Sequence, residues 1–199
     1  MGTKTADRSE FNRCEWAGND PLYIKYHDTE WGVPVYDDKT LFEFLILETF
    51  QAGLSWITVL RKRDNFRLAF DNFDYNIIAA YNSTKINELL NNSGIIRNRL
   101  KINAAISNAQ AFIKTGEEFG TFSNYIWSYT EGNPIINNFT TTSELPSSTP
   151  LSDTISKDLK KRGFKFTGST VVYAHMQATG MVNDHIKGCF RHKQIINQY

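Results

Sequence analysis

The hydrophobic positions along the chain predict helices rather than strands. Alternation of apolar and polar residues is scarce, whereas apolar residues recur at steps of three and four in several segments. The clearest case is an amphipathic helix predicted over residues 97–115, which we expect Gly116 to end. Residues 41–50 are apolar nearly all round and follow Asp37 and Asp38, which can cap a helix. This second segment is therefore predicted to be a buried helix.

The other segments extend the same pattern. Shorter helices are predicted at residues 21–26, 55–61, 77–81 and 84–90. Residues 137–153 are rich in Ser and Thr and hold two prolines, so we expect a surface connection between two lobes. After it, Leu151, Ile155 and Leu159 repeat every four residues, Gly163 offers a stop, and another helix is predicted over residues 171–179. The predicted fold class is all-α, with a helix, a short hairpin and a helix near the C-terminus.

Length and composition narrow the class of protein. The 199 residues suit one domain, expected at residues 13–190, with a tail or tag at 1–12 and a C-terminal tail at 191–199. The net charge is +1 and 22% of residues are charged, as in ordinary globular proteins. No apolar stretch approaches the roughly 20 residues that cross a bilayer, and the N-terminus is polar. We therefore expect a cytoplasmic protein with no membrane partner, and the simplest expectation is a monomer.

Both cysteines and two of the four histidines are candidate metal ligands. Cys14 and His27 have twelve residues between them, and His185 and Cys189 have three. Two side chains four residues apart on a helix share a face and can reach one ion, and thiolate with imidazole suits tetrahedral zinc. Four protein ligands would leave no open position, so such a zinc would be structural. Spacing alone equally allows two unrelated buried thiols and two hydrogen-bonded histidines.

The turn between the two C-terminal helices is a candidate phosphate-binding element. Gly163 and Gly168 bracket it, and a helix follows at once, so free backbone amides would point outward. Four basic residues surround the turn, namely Lys160, Lys161, Arg162 and Lys165. Local positive charge in a nearly neutral chain is typical of contact with a nucleic-acid backbone. A solvated basic helix end has the same composition.

Aromatic residues and one carboxylate cluster in the first third of the chain. The rings are Trp16, Tyr23, Tyr26, Trp31 and Trp56. Such rings usually form core, but they also suit a pocket that stacks an unpaired base. Glu48 falls on an apolar stripe of the helix predicted at 41–50, so it needs an Arg partner or a cavity that awaits one. The next residues, Gln51 to Leu54, place an apolar tip after a glycine break at Gly53, an arrangement that can wedge between base steps.

Several sequence blocks resemble those of the bacterial 3-methyladenine DNA glycosylase I family. The similarity runs from residue 13 to residue 189 and includes DPLYI at 20–24, YHD at 26–28, EWGVP at 30–34, QAGLSWITVL at 51–60, LKKRGFKF at 159–166 and VNDH at 182–185. The resemblance implies a helix-hairpin-helix glycosylase fold and one structural zinc. The implied zinc ligands are Cys14, His27, His185 and Cys189.

The resemblance also implies a reaction on alkylated double-stranded DNA. The enzyme would flip 3-methyladenine out of the duplex and hydrolyse its N-glycosidic bond without cutting the strand. Glu48 would favour the cationic base, Tyr26 would support contacts to its edge and Trp56 would stack on it. The pocket walls would be Tyr23, Trp16 and Trp31. The residues that contact DNA would be Gln51, Gly53, Leu54, Lys161, Gly163, Lys165 and Gly168.

Two other functions compete with this hypothesis. A DNA-binding module without catalysis would leave Glu48 as a buried structural acid, and a zinc-dependent hydrolase would need its metal for turnover. Asp184 lies about where many helix-hairpin-helix glycosylases carry an aspartate, but it adjoins His185, so Glu48 is the preferred catalytic residue. No role is predicted for His175 or His192.

Overall fold

The structure is a computed structural model that describes residues 12–198. Within this range the helices are α1 (Pro21–Thr29), α2 (Asp38–Gln51), α3 (Trp56–Leu60), α4 (Arg63–Ala69), α5 (Tyr75–Ala79), α6 (Ser83–Asn91), α7 (Arg99–Phe119), α8 (Phe122–Ser128), α9 (Pro150–Lys161), α10 (Ser169–Ala178) and α11 (Phe190–Gln198). Short 3₁₀ turns lie at Glu15–Ala17, Asp71–Phe73 and Thr142–Glu144. The helical fold class is confirmed. A two-stranded parallel sheet, β1 (Ile135–Ile136) with β2 (Val182–Asn183), is the addition that the pattern did not predict.

Helix α2 is the centre of the core. All residues from 41 to 50 are buried, and α2 contacts α3, α7, α8 and α10. Asp37 caps α2 as expected, because its carboxylate accepts from the Thr40 amide. Asp38 does not cap α2 in this way. Its carboxylate accepts the backbone amides of Phe122 and Ser123 and so anchors the start of α8.

Helix α7 is longer than predicted. It begins after Asn98, whose side chain accepts the Lys101 amide, and it continues past Gly116 to Phe119. The expectation that Gly116 ends this helix is wrong. Gly120 ends it instead, because Gly120 has a φ of 86°, a left-handed conformation that glycine adopts without strain.

The predicted order of helix, short hairpin and helix is confirmed in α9 and α10. A reciprocal capping box between Thr149 and Ser152 starts α9, and Gly163 turns the chain after it with a φ of 100°. The connection before α9 is irregular apart from its 3₁₀ turn, as predicted for this Ser- and Thr-rich segment, but residues 150–153, which the prediction included, form the first turn of α9 because Pro150 suits the first position of a helix.

The C-terminal segment predicted as a tail is part of the folded core. Residues from 190 form α11, in which Ile195 is fully buried and His192 hydrogen-bonds to the backbone oxygen of Asn137. Asn12 donates to the oxygen of Gly188 and its backbone oxygen accepts the amide of Phe190, so the first described residue lies beside the start of α11. The predicted N-terminal tail lies outside the described residues except for Asn12. None of the helices between residues 12 and 198 has the length and hydrophobicity to span a bilayer.

Candidate functional site

A cavity of about 190 Å³ opens beside the C-terminal half of α2. Its lining comprises Trp16, Tyr23, Tyr26, Trp31, Glu48, Gln51, Trp56, Leu145, Ala174 and Gln177. The five aromatic residues and the carboxylate that the sequence singled out therefore meet in one place. A concave, ring-lined space of this kind could take one planar base.

The rings of the cavity support one another edge to face or tilted. The centroid of Trp16 lies 5.0 Å from that of Tyr23 and 4.8 Å from that of Trp31. Tyr26 and Trp56 form a second pair at 5.3 Å. These separations are in the range that favours aromatic pairs, so the wall is held by ring contacts before any ligand binds.

Glu48 is the buried carboxylate of the cavity. It is 3% exposed, and its Oε2 has no hydrogen-bond partner among residues 12–198. Burial raises the pKa of Glu48 from 4.5 to about 8. A carboxyl group in this environment is neutral at pH 7 for most of the time, and a cation entering the cavity would favour its ionised form.

The Arg partner that the sequence left possible for Glu48 is engaged elsewhere. Arg63 is buried near the same helix, but it donates to Glu30 and, at 2.6 Å, to Glu43. Its guanidinium also lies 4.9 Å from the ring centroid of Phe44. Glu43 thus takes the ion pair, and Glu48 faces the cavity.

Two further polar atoms of the cavity wall also lack partners. The indole Nε1 atoms of Trp16 and Trp56 are buried and have no acceptor within the described part of the chain. Both are donors only. Together with the carboxylate of Glu48, the wall offers both donors and an acceptor to a ligand.

Three lining residues were not predicted from the sequence. Leu145 comes from the connection before α9, and Ala174 and Gln177 come from α10. Gln177 is oriented by Asp184, whose carboxylate accepts from Gln177 at 2.8 Å, from the Tyr173 hydroxyl at 2.6 Å and from the Asn137 side chain at 2.6 Å. The carboxylate of Asp184 is thus occupied by three donors, which agrees with the preference for Glu48. A polar residue on the mostly apolar α10 was the available signal for Gln177.

The four predicted metal ligands also meet in one place. The ligand atoms of Cys14, His27, His185 and Cys189 are buried and lie within 4.8 Å of one another. The Cys189 sulfur is 3.5 Å from His27 Nε2 and 3.5 Å from His185 Nδ1, and the Cys14 sulfur is 3.6 Å from the same His185 nitrogen. Tetrahedral zinc, with bonds of about 2.3 Å to sulfur and about 2.0 Å to nitrogen, has S···N edges of roughly 3.5 Å. The cluster fits such an ion.

The second nitrogen of each histidine has a hydrogen-bond acceptor. His27 Nδ1 lies 2.8 Å from the carboxylate of Asp28, and His185 Nε2 lies 2.9 Å from the backbone oxygen of Trp31. Such contacts fix the ring orientation of metal-binding histidines. Burial lowers the pKa of His185, which favours the neutral imidazole that a metal requires.

The expectation that His185 and Cys189 share a helix is wrong. Both lie in a turn between β2 and α11, where the His185 amide donates to the Asn183 side chain and the Cys189 amide donates to the oxygen of Ile186. The turn brings the two ligand atoms together as a helix would have done, so the spacing indicated the pair without indicating its backbone.

The four-residue cluster lies directly behind the cavity wall. The His185 ring is 4.7 Å from that of Trp31, and the His27 ring is 5.2 Å from that of Trp16. The side chains that could hold a metal therefore also buttress two cavity residues.

The chain from Gln51, the last residue of α2, to Ser55 is called here the wedge loop, and its residues 52–55 are exposed. Gln51 lines the cavity, Gly53 has a φ of 83°, and Leu54 is 42% exposed at the tip. A Cβ added at Gly53 would meet no atom within 4 Å, so a larger side chain would fit there. Glycine is favoured because of the positive φ of the turn.

The hairpin between α9 and α10 exposes two of its lysines. Lys161 and Lys165 are exposed, as is Lys160 on the last turn of α9, and Gly168 stands at the N-cap of α10 without a side-chain cap. Arg162 differs from the lysines because it is paired with Asp158 and Glu118. Of the four basic residues predicted around the turn, Arg162 is thus the one that forms ion pairs within the described part of the protein.

An aromatic cavity with a buried acid, an exposed glycine-broken loop and a basic hairpin on a helical fold suit a helical DNA glycosylase, because such an enzyme must take up an unpaired base and hold the duplex. Residues 16–192 match the methyladenine glycosylase family, and the chain belongs to this family.

Individual relatives agree with this assignment. DNA-3-methyladenine glycosylase 1 of Escherichia coli strain K12 is 51% identical over 177 residues, which cover 89% of this chain and 95% of the relative. A crystal structure of 3-methyladenine DNA glycosylase I superposes with a TM-score of 0.88 at 52% identity and covers 90% of this chain and 98% of its own. A variant of 3-methyladenine DNA glycosylase I in complex with 3-methyladenine has a TM-score of 0.87 at 36% identity and covers 90% and 96% of the two chains.

Proposed function

We propose that this protein excises 3-methyladenine from alkylated double-stranded DNA as a base-excision repair glycosylase. The observation that carries the proposal is Glu48, a buried acid in a ring-lined cavity whose Oε2 has no hydrogen-bond partner among residues 12–198. An acid in this state is costly for a folded protein, and a cationic ligand would remove the cost. Alkylation at N3 gives adenine a positive charge, which normal adenine lacks.

The charge of the damaged base also explains why little further chemistry is needed. As the bond between the base and C1′ of the sugar breaks, its electron pair moves to the base and cancels the positive charge. Water adds to C1′ and loses a proton. The base leaves as a neutral molecule, so no side chain has to protonate it, and Glu48 contributes by binding the cationic purine once it has left the base stack.

The aromatic residues supply the uncharged part of recognition. In the proposal Trp56 stacks on the flipped base, Tyr26 supports its edge, and Tyr23, Trp16 and Trp31 form the walls. The position of Trp56 in the cavity wall beside Tyr26 supports this assignment, because an aromatic ring there can stack on an unpaired base. No lysine lines the cavity among the described residues, which supports release of the base without strand cleavage.

Two exposed elements are proposed to hold the duplex. The wedge loop would place Leu54 in the gap that the flipped nucleotide leaves, beside Gln51 and Gly53. Lys161 and Lys165 would neutralise phosphates at the hairpin, where Gly163 and Gly168 let the DNA backbone approach. The exposure of Leu54 and of both lysines supports these roles.

We further propose that Cys14, His27, His185 and Cys189 hold one structural zinc. When bound, the ion would crosslink the two chain ends and contribute no open coordination position to the reaction. We also propose that the protein acts as a monomer in the bacterial cytoplasm, as one domain of two helical lobes.

Chromatography of the bases released from methylated duplex DNA tests the proposal. The wild-type protein is expected to release 3-methyladenine. The Glu48→Gln variant is expected to bind the same DNA but to release no 3-methyladenine. A DNA-binding module would release no base in either form. A zinc-dependent hydrolase would lose turnover on metal removal while it stayed folded, whereas a structural zinc ties any loss of turnover to unfolding.

A further inference from the structure

Lys101 is a buried lysine that the proposed mechanism does not use. It is 7% exposed, on the first turn of α7, and its ammonium group donates to the backbone oxygens of Phe50 at 2.8 Å and Ala52 at 2.7 Å. These two oxygens belong to the end of α2, where the wedge loop begins. Because the last carbonyls of a helix lack partners within the helix, a cation there caps α2 and fixes the direction in which the chain leaves it.

The wedge loop has few other supports. Its internal bonds are local, from the Leu54 amide to the oxygen of Gln51 and between the hydroxyls of Ser55 and Thr58. Residues 52–55 are exposed. Among the described residues, the side chain from another helix that hydrogen-bonds to the start of this loop is Lys101 of α7.

The hairpin is attached to the same helix. Asn108 is fully buried on α7, and its side-chain amide pairs with the backbone of Lys165 twice, accepting the amide at 2.7 Å and donating to the oxygen at 3.1 Å. Lys101 and Asn108 are seven residues apart, which is close to two helical turns, so they lie on one face of α7. Their separation along the helix axis is about 10 Å, or about three base-pair steps of DNA.

We propose that Lys101 and Asn108 are positioning residues that hold the wedge loop and the hairpin at one fixed spacing on the duplex. Helix α7 is the strut between the two attachments. The inference rests on the proposed function, because it requires both elements to contact DNA. Two weak contacts at a matched spacing bind far more tightly than either alone, and this advantage is lost when either attachment is released.

The test separates base binding from duplex binding. Lys101→Met is expected to leave the affinity for free 3-methyladenine unchanged, as measured by fluorescence of the cavity tryptophans. Its affinity for a duplex with an abasic-site analogue should fall about tenfold, the size expected for lost charge-assisted hydrogen bonds. The fluorescence of 2-aminopurine placed opposite the analogue should rise less than with wild type, because less unstacking occurs. Lys114→Met, which changes an exposed lysine of the same helix, is the matched control and should match wild type.

A double variant gives the sharper result. Asn108→Ala is expected to weaken duplex binding by about as much as Lys101→Met. The double variant should bind the duplex about tenfold, rather than about a hundredfold, more weakly than wild type, because either substitution alone already removes the fixed spacing between the wedge loop and the hairpin. Additive losses would overturn the proposal, and so would a parallel loss of base and duplex binding in Lys101→Met.

A second variant covers the case in which Lys101→Met does not fold. Lys101→Gln keeps one donor and should show an intermediate duplex affinity; an unchanged affinity overturns the proposal. Failure of the wild-type protein to release base defeats the proposed function separately, because the duplex measurements need no excision.

Discussion

Glu48 differs from the other buried charged side chains near it. Arg63 and Lys101 both have partners within hydrogen-bond distance, whereas the Oε2 of Glu48 has none in the described structure. The difference appears in its pKa, which burial raises from 4.5 to about 8. Between these values the folded protein binds a proton that the unfolded chain does not, so stability falls as pH rises through this window.

The first prediction concerns the stability of the Glu48→Gln variant. The amide cannot ionise, so the variant avoids a cost on the order of 3 kcal/mol at pH 7. We expect its melting temperature at pH 7 to rise by several degrees while base release is lost. Glu43→Gln is the control on the same helix. It removes an acid that pairs with Arg63, so it should lower the melting temperature. A Glu48→Gln protein that melts below wild type would contradict the unpartnered state of this acid.

The pH dependence of excision follows from the same group. In the proposed mechanism the cationic base binds the ionised carboxylate of Glu48, a form that becomes more populated as pH rises through about 8. We expect kcat/KM for excision from methylated DNA, corrected for spontaneous base loss, to increase from pH 6 upward, to be half-maximal at about pH 8 and to level off about one pH unit higher. The Glu43→Gln variant should show the same increase of kcat/KM with pH as wild type. A rate that is flat over that range would mean that ionisation of Glu48 does not govern recognition.

At the scale of elements, the hairpin leads to a prediction about salt. If Lys161 and Lys165 each neutralise a phosphate, the slope of log affinity against log salt should shrink by about one for each lysine replaced by glutamine. Titrations of the protein with duplex DNA over a range of salt concentrations measure this slope. Lys157→Gln, on the exposed face of α9 one turn before the hairpin, is the control and should keep the wild-type slope. An unchanged slope in both hairpin variants would remove the hairpin from the phosphate contacts.

The helices could be predicted from periodicity, but their ends could not. Gly116 and Gly120 are equally good helix stops in the sequence, and only the left-handed conformation of Gly120 distinguishes them. Asp38 likewise has the composition of a cap for α2, yet it bonds to the start of α8, 84 residues away. The choice in both cases depends on tertiary packing, which the local pattern does not contain.

The candidate site was predictable where its residues are close in sequence or chemically unusual. The aromatic cluster, Glu48 and the Cys and His residues met these conditions. Gln177, Lys101 and Asn108 did not, because a glutamine, a lysine and an asparagine on helices are ordinary and acquire their roles from contacts across the fold. Asn108, for example, meets Lys165 at a separation of 57 residues.

At the scale of the whole molecule, the chain ends and the cavity are coupled. Cys189 and His27 are 162 residues apart in sequence, and their ligand atoms meet behind the wall formed by Trp16 and Trp31. A crosslink that closes so long a loop restricts the unfolded chain strongly. If the cluster holds the proposed zinc, loss of that ion should reduce stability and also loosen the wall proposed to contact the base.

Replacing Cys14 by serine tests this coupling. We expect the bound zinc to be lost and the melting temperature to fall by about 10 °C, which corresponds to a few kcal/mol in a chain of this size. The affinity for free 3-methyladenine, measured well below the melting temperature, should also fall, because the histidines no longer hold Trp16 and Trp31. His192→Gln is the control. It changes a buried histidine whose side chain bonds to the backbone oxygen of Asn137, whereas its only bond to the cluster is from its backbone amide to the oxygen of Cys189 and survives the substitution, so the protein should lose stability but keep its metal and its base affinity. A Cys14→Ser protein with normal melting and the same metal content as wild type would leave the cluster as buried thiols and imidazoles, and the wall would then owe its order to ring packing alone.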